Sequence, residues 1–271
     1  MPRPRVTTRP ALICTVQVLT PTTNRVVHGT WALTHASDND RPLPERGEGF
    51  YEKPCEPLTP PLSFSRHKLH LIGFDIDSFH EHDLLWLPHH AQLLPAGRKR
   101  QAEHLAGRLA AFHALTEYGH KTVPAIGDKR QPLWPEGLFG SISHSAATAL
   151  AVVSLTPVGV DIEAIFTPQT AAELTSSIVD NDEQRVLQRS PFPFPLALTL
   201  AFSAKESVYK AFSDRAATLP GFASARIVSV TKTHLTMQMT SAFSSQLADC
   251  TVDISWREYD GQVITLCASA L

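Results

Sequence analysis

The sequence has few cysteines, no long apolar run and no compact apolar region near its N-terminus. The cysteines are scattered and form no CxxC pair, which fits neither a disulfide framework nor a zinc site; they are Cys14, Cys55, Cys250 and Cys267. No apolar run reaches the length of a membrane-spanning helix, and the N-terminus does not resemble a secretory signal. We therefore expect a cytoplasmic protein without a transmembrane segment, and we leave peripheral association with a membrane open.

An excess of charge of either sign is also absent. The chain has 24 Lys and Arg against 26 Asp and Glu, a net charge of −2, whereas nucleic-acid-binding domains are usually basic. We therefore predict no nucleic-acid partner. The 271 residues are enough for one large domain or two modest ones with a buried core.

The first 66 residues differ in composition from the rest. Prolines are dense over 41–44 and 58–61, and glycines at 47 and 49 interrupt any periodic pattern. One short run, 11–18, has the composition of a strand. We interpret 1–66 as a Pro-rich extension, either disordered or the result of a start assigned too far upstream.

Residues 159–163, Gly-Val-Asp-Ile-Glu, predict a strand with two acidic side chains on one face. Because side chains alternate along a strand, Val160 and Ile162 should face one side, and Asp161 and Glu163 the other. Neighbouring carboxylates are costly to bury unpaired, and Mg²⁺ takes carboxylate and phosphate oxygens as ligands. These residues alone leave two interpretations open, a solvated acidic face on an edge strand or a site for a divalent cation.

Residues 98–118 predict a helix that ends near Gly119. Its apolar residues at helical spacing are Ala102, Leu105, Leu109 and Phe112. The first half is basic, and Arg100 and Arg108, two turns apart, should lie on roughly the same side. The pattern is typical either of a solvated basic face or of an anion site, since arginine suits phosphate oxygens.

A turn-rich loop over 127–135 carries Lys129 and Arg130 and precedes Ser143 and His144. A serine nucleophile is disfavoured, because no G-x-S-x-G elbow surrounds Ser143 and neighbouring residues on a strand point to opposite faces. A histidine that donates to a phosphate is the better interpretation. The spacing of four upstream histidines matches no compact metal motif, so we interpret them as solvated or packed side chains; they are His80, His82, His89 and His90.

The segments after the acidic strand alternate between helical and turn-like patterns. Residues 171–188 predict a helix with a break near Asp180, and prolines over 191–195 predict a loop. A helix over 202–212 follows, in which Ser203 and Glu206 fit a capping box. Glu206 and Lys210 would share a face of this helix. Residues 225–269 predict several short strands.

Together, four motifs resemble the signature of the 4′-phosphopantetheinyl transferases in order and spacing. They are R-K-R-x-A-E-H-L-A-G-R at 98–108, G-S-I-S-H at 140–144, G-V-D-I-E at 159–163 and F-S-A-K-E-S-x-x-K at 202–210. The resemblance covers roughly 67–271. It implies an α+β fold of two similar α/β subdomains, related by a pseudo-twofold axis, with the active site in the cleft between them. The N-terminal subdomain, 67–156, would contact coenzyme A phosphates, and the C-terminal subdomain, 157–271, would carry Mg²⁺ and the catalytic residues.

The resemblance also implies an activity and a set of site residues. Such enzymes move the phosphopantetheine arm of coenzyme A onto a serine of an apo carrier domain and release adenosine 3′,5′-bisphosphate. The implied Mg²⁺ ligands are Asp161, Glu163 and Glu206. The implied coenzyme A contacts are Arg100, Arg108, Lys129, Arg130, His144 and Lys205. The implied catalytic residues are Glu206 as the base and Lys210, which with Lys205 would face the pyrophosphate.

The partners that the resemblance implies are aryl and peptidyl carrier domains of catecholate siderophore synthesis. Two alternatives remain at this point, a transferase that serves fatty-acid or polyketide carriers and a module that binds coenzyme A or a carrier protein without turnover. The acidic and lysine positions are all present, which favours an enzyme.

Overall fold

Two five-stranded antiparallel sheets, each with a 19-residue helix packed on it, form most of the architecture. This computed structural model describes residues 14–19, 29–31, 64, 66–216 and 221–268. Both helices and strands contribute to each half, which confirms the predicted α+β class.

The first half contains strands β1 (Cys14–Leu19), β2 (Gly29–Trp31), β3 (Leu69–Gly73), β6 (Phe139–Ser145) and β7 (Thr148–Ser154). Their order in the sheet is β2-β1-β3-β7-β6. The connection from β3 to β6 contains 3-10 helices at Glu81–Trp86 and His90–Gln92, the helix α1 (Arg98–Thr116), and a ribbon of β4 (Ala125–Ile126) and β5 (Pro132–Leu133).

Helix α1 forms because its apolar residues recur at the helical period. Ala102, Leu105 and Ala106 are fully buried in a core shared with β3 and β7. Just beyond the helix, Gly119 has a φ of +82, a left-handed conformation that glycine adopts without a Cβ clash. The helix predicted over 98–118 is confirmed and ends two residues earlier than predicted.

The second half contains strands β8 (Val158–Ala164), β9 (Ala225–Val230), β10 (His234–Met239), β11 (Thr251–Tyr259) and β12 (Gln262–Ala268). Their order is β8-β12-β11-β10-β9. Between β8 and β9 lie α2 (Pro168–Ile178), α3 (Asn181–Gln188), α4 (Phe194–Phe212) and 3-10 helices at Ser213–Arg215 and Phe222–Ser224. The predicted helical break near Asp180 and the predicted strands of the C-terminal region are confirmed.

The start of α4 differs from the prediction. Pro193 is the N-cap and Pro195 lies in the first turn, where the fixed φ of proline fits and its missing N–H has no intrahelical partner to lose. Ser203 is therefore in the middle of the helix, fully buried, with its Oγ 2.8 Å from Thr265 Oγ1. The capping box predicted for Ser203 is wrong, and Glu206 is left free of a capping role.

The two sheets meet along β6 and β8 through serine hydroxyls rather than through a backbone ladder. The N–H groups of Val160, Ile162 and Ala164 donate to the Oγ atoms of Ser141, Ser143 and Ser145 at 3.0, 3.4 and 3.2 Å. We call this contact the serine seam. One face of β8 carries the side chains of Val160 and Ile162. They belong to an apolar core that takes residues from both sheets. The seam and this core together fix the two halves against each other.

Helix α4 packs directly against β8 at Gly159. A Cβ at this position would lie 1.9 Å from the carbonyl oxygen of Ser207, which is a backbone atom of the helix and cannot rotate away. Glycine is therefore required for the close approach that brings the acidic strand against α4.

Gly159→Ala should lower the free energy of unfolding by at least about 2 kcal/mol, because the strand and helix must separate to accept the methyl group. Urea unfolding followed by circular dichroism measures the change. Gly221→Ala is the matched control, since a Cβ there meets nothing within 4 Å and its φ is −77. Equal stability of the two variants would contradict the packing argument.

Part of the predicted extension 1–66 is described. Strand β1 pairs with β3 and overlaps the run at 11–18 that had the composition of a strand. Apart from β1, β2 and two residues after them, this segment lies outside the described residues. Because the two sheets divide between β7 and β8, we propose that the subdomains are 67–156, to whose sheet β1 and β2 add, and 157–271. Among the helices that the structure describes, none has the length and apolar character to cross a membrane.

His70 on β3 is a buried titratable group in the first half of the protein. It is 3% exposed, and burial is the main cause that lowers its pKa to about 4. In the unfolded chain the same imidazole has a pKa near 6.5. Between these two values the unfolded state binds the proton and the folded state does not.

Acidification from pH 6.5 to 4 should therefore lower the free energy of unfolding by about 1.4 kcal/mol per pH unit, because in this range only the unfolded state binds a proton at His70. Urea unfolding at several pH values measures the slope. His70→Leu should reduce the slope by about this amount in this window, whatever its absolute stability. An unchanged slope in the variant would show that other groups cause the acid sensitivity.

Candidate active site

The acidic strand presents its carboxylates to α4. Val160 and Ile162 face the core between the sheets, and Asp161 and Glu163 face the other side, as the alternation predicted. Glu206 and Lys210 lie four residues apart on α4, and both influence the titration of Glu163. The close packing at Gly159 thus brings the carboxylates of β8 near Glu206 on α4.

Asp161 is the most tightly held of these residues. It is 2% exposed, and its Oδ1 accepts hydrogen bonds from Lys210 Nζ at 2.6 Å and from Ser143 Oγ at 2.7 Å. Lys210 also donates to Ser143 Oγ at 3.0 Å. In contrast, Asp161 Oδ2 is buried and accepts no hydrogen bond from any residue that the structure describes. A buried carboxylate oxygen in that state is unfavourable, so the site has an acceptor ready for a further cation or donor.

Glu163 and Glu206 titrate abnormally. Burial raises the pKa of Glu163 to about 7, and the charges of Asp161 and Glu206 add to the effect while Lys210 opposes it. Burial also raises the pKa of Glu206. Three carboxylates share one ammonium group, which leaves an excess of negative charge. Within the described ranges, no three His, Cys, Asp or Glu side chains form a ready-made metal site, so these carboxylates do not make a closed ligand set in this structure.

A basic cluster on α1 and β6 borders the carboxylates. Arg100 Nη1 donates to His144 Nε2 at 2.9 Å, and His144 Nδ1 lies 3.7 Å from Glu103 Oε1. Burial is the main cause that lowers the pKa of His144, and its titration also responds to Asp161 and Lys210. His144 is therefore the point where the basic and acidic clusters meet.

Arg108 is the strongest indication of an anion site. It is 5% exposed, its Nε has no hydrogen-bond partner among the described residues, and its Nη2 makes a long contact of 3.5 Å with the carbonyl of Ala125. Burial, together with the charge of Arg100, lowers its pKa to about 10. In the described part of the chain no carboxylate forms an ion pair with it. A buried cation without an anion is unfavourable, so a bound anion would complete this site.

Three residues that the sequence assigned to coenzyme A are not brought into these clusters. Lys129 and Arg130 lie in an exposed turn between β4 and β5. Lys205 is 5% exposed, and its Nζ is 2.7 Å from Glu183 Oε1 and donates to the carbonyls of Ile178 and Phe222 at 2.8 and 2.9 Å. All three ammonium protons of Lys205 are thereby engaged inside the second subdomain.

Glu183 is a structural residue whose role the sequence analysis missed. It is 3% exposed, its Oε1 accepts the N–H of Ile227 at 2.8 Å, and its Oε2 accepts the N–H of Asp180 at 3.0 Å. Glu183 and Lys205 therefore tie α3, α4 and β9 together. The spacing of Asp180 and Glu183, which form a capping box at the start of α3, was the available signal.

Comparison with known proteins identifies the family of this chain. Residues 89–154 match the 4′-phosphopantetheinyl transferase N-terminal domain, and residues 157–267 match the 4′-phosphopantetheinyl transferase superfamily. The chain is 64% identical over 206 residues to enterobactin synthase component D of Salmonella typhi, a match that covers 76% of this chain and 88% of that protein. The protein of the same name from Escherichia coli strain K12 is 50% identical over 206 residues, covering 76% and 95% of the two chains.

A more distant relative is the 4′-phosphopantetheinyl transferase PptT of Mycobacterium tuberculosis, 33% identical over 152 residues, which are 52% of this chain and 64% of that protein. The chain belongs to the 4′-phosphopantetheinyl transferase superfamily. The resemblance found in the sequence motifs is therefore confirmed, together with the fold of two α/β subdomains that it implied.

Removing either partner of the Glu183–Lys205 pair should be costly, because the remaining charge would stay buried without compensation. We expect Lys205→Met and Glu183→Gln each to lose about 3 kcal/mol of stability. Urea unfolding checks this, and Asp182→Asn is the control because it breaks an exposed pair with Arg185 of nearly the same length, 2.6 Å. Losses as small as that of the control would contradict the structural role.

Proposed function

We propose that this protein transfers the 4′-phosphopantetheine arm of coenzyme A to a serine of the apo aryl and peptidyl carrier domains of the enterobactin synthase, with release of adenosine 3′,5′-bisphosphate. The observation that carries the reaction is the adjacency of two incomplete clusters. Among the described residues, Arg108 is a buried cation without an anion, and Asp161 has a buried oxygen without a hydrogen-bond partner. The similarity to enterobactin synthase component D supports the choice of carrier.

The basic cluster suits the phosphates of coenzyme A. Arg100 and Arg108 present guanidinium groups that match phosphate oxygens, and His144 lies between them and the carboxylates. Lys129 and Arg130 are further proposed contacts, from their exposed turn. We assign Lys205 no direct contact, because its three protons already bond within the second subdomain.

Asp161, Glu163 and Glu206 are the proposed ligands of Mg²⁺. The unpartnered Oδ2 of Asp161 and the shortage of positive charge around the two glutamates fit a divalent cation with oxygen ligands. When bound, Mg²⁺ would neutralise charge on the pyrophosphate. The protein's own residues would position the substrates and would accept and donate the protons of the reaction.

In the proposed reaction, the carrier serine attacks the phosphorus next to the pantetheine arm. The new bond joins the serine oxygen to that phosphorus, and the bond to the bridging pyrophosphate oxygen breaks. Glu206 would accept the hydroxyl proton, since burial raises its pKa and α4 does not use it as a cap. Lys210 would stabilise the charge on the departing phosphate.

The test is the intact mass of an apo aryl or peptidyl carrier domain after incubation with the protein, coenzyme A and Mg²⁺. We expect a gain of one phosphopantetheine that a chelator abolishes. Asp161→Asn should lower kcat/KM by about 100-fold or more, and Asp253→Asn, an exposed acid on β11, is the control.

Other outcomes would change the proposal. A gain on acyl carriers of fatty-acid or polyketide synthesis alone would keep the reaction and replace the partner. Coenzyme A binding without a mass gain on any carrier would replace the enzyme with a binding module. Transfer that persists in chelator would remove Mg²⁺ from the proposal.

A further inference from the structure

Three fully buried hydroxyl groups join α4 to β12, and we call their residues, Ser203, Ser207 and Thr265, the hydroxyl triad. Thr265 Oγ1 lies 2.8 Å from Ser203 Oγ and 2.7 Å from Ser207 Oγ. Ser207 Oγ also donates to the carbonyl oxygen of Thr265 at 3.1 Å. One placement of the three hydroxyl protons satisfies all of these contacts, so the triad is a complete hydrogen-bond network.

The triad lies on the same rung of the sheet as Asp161. Thr265 and Asp161 are direct partners in the register of β12 and β8, and directly opposed residues of antiparallel strands point to the same side of a sheet. Asp161 Oδ1 accepts a hydrogen bond from Lys210 Nζ of α4 at 2.6 Å, while Thr265 contacts the two serines of α4. One rung of the sheet therefore holds the helix at two points, one of them in the candidate active site.

Helix geometry couples these two points. Successive residues are about 100° apart around an α-helix, so Ser203, Ser207 and Lys210 lie within about 60° of one another on α4. Glu206 is also within about 60° of Ser203. Most of the other buried side chains of α4 are apolar, and apolar contacts are non-directional, whereas hydrogen bonds have narrow limits of distance and angle. A rotation of α4 that broke the triad would move Lys210 and Glu206 relative to β8.

The serines of the triad have a local alternative for their hydrogen bonds. A hydroxyl inside a helix can donate to the carbonyl oxygen four residues earlier. Thr199 on the same helix does so, with its Oγ1 2.7 Å from the carbonyl oxygen of Pro195. Ser203 and Ser207 reach across to β12 instead. Their hydroxyls therefore specify where α4 lies on the sheet, which a bond within the helix would not do.

We propose that the hydroxyl triad positions α4 for the transfer reaction, by fixing the rotation of the helix at which Lys210 reaches Asp161. This inference rests on the proposed function, in which Lys210 stabilises the departing phosphate and Glu206, on the same side of α4, accepts the serine proton. Because the three hydroxyls are fully buried, they would act only through the helix. Their loss should lower kcat and leave the KM for coenzyme A nearly unchanged, since the proposed contacts of coenzyme A lie in the first half of the protein.

Thr265→Val and Thr265→Ser separate the hydroxyl from the rest of the side chain. Valine keeps the shape of threonine without the hydroxyl, whereas serine keeps the hydroxyl and leaves a small cavity. Thr265→Val should lower kcat for transfer to an apo carrier domain by about tenfold or more, since a displacement of about 1 Å that arises far from the chemistry can cost about 100-fold. Thr265→Ser should keep kcat within about twofold of the wild type, even where it unfolds more readily.

The other side of the triad provides a second test, should Thr265→Val fail to fold. The double variant Ser203→Ala/Ser207→Ala should lower kcat in the same way. Ser244→Ala is the matched control, because Ser244 is 5% exposed and its Oγ accepts the N–H of Gln246 in its own turn. Circular dichroism and urea unfolding check that each variant is folded under the assay conditions.

A double-mutant cycle with Lys210→Met tests the route of the effect. Because the triad acts through the position of Lys210, the loss of kcat caused by Thr265→Val should be smaller in the Lys210→Met background than in the wild type. Equal losses in the two backgrounds would overturn the inference.

Other outcomes distinguish this inference from the proposed function. Wild-type kcat in both Thr265→Val and the double serine variant, with normal arm transfer, would reject only the positioning role. If kcat followed stability instead, with Thr265→Ser more impaired than Thr265→Val, the triad would be structural and the inference wrong. Absence of arm transfer by the wild type on any carrier would overturn the proposed function, and this inference with it.

Discussion

The serine seam between β6 and β8 is the contact on which the site depends. Each half of the protein builds its own sheet and its own long helix, and neither half contains a complete site. The seam places His144, on the strand that carries the serine hydroxyls, next to the strand that carries Asp161. Ser143 both joins the two strands and contacts the acidic cluster, because its Oγ accepts a hydrogen bond from the backbone of β8 and also hydrogen-bonds Asp161 and Lys210.

The two clusters that meet at the seam are each unfavourable alone. In the part of the chain that the structure describes, the basic side contains a buried arginine with no carboxylate to neutralise it, and the acidic side contains more carboxylates than cations. Such an arrangement reduces folding stability, since buried charge is costly without a partner. Strain of this kind is expected where a protein prepares for a ligand of the complementary charge. Coenzyme A with a divalent cation would supply both missing partners.

Much of this arrangement could be predicted from local pattern. The helical spacing of apolar residues in α1 and the alternation of side-chain direction along β8 are each supported by several residues of the same pattern. Both predictions were confirmed. The start of α4 could not be predicted, because prolines interrupt a periodic pattern whether they end a loop or open a helix. The capping box at Ser203 was wrong for a related reason, since a four-residue match carries no information about where the helix begins.

The orientation of Lys205 relative to Lys210 could have been predicted from helix geometry. Successive residues of an α-helix are about 100° apart, so positions separated by five residues point to different sides, whereas positions separated by four share one. Lys205 and Lys210 would therefore point to different sides of a straight helix. The serine seam was harder to foresee. A hydroxyl at every second position of β6 is visible in the sequence, but its partner is an edge strand of another sheet, and that pairing is a property of the tertiary fold.

The spacing of the serine seam also fixes the register of the two halves. The hydroxyls of Ser141, Ser143 and Ser145 recur every two residues, in step with the N–H groups of β8 that need an acceptor. A shift by one residue would present Ile142 and His144 to those N–H groups and turn the hydroxyls away. The correct alignment of the two halves is therefore encoded in three small side chains, one of which, Ser143, also hydrogen-bonds Asp161 and Lys210.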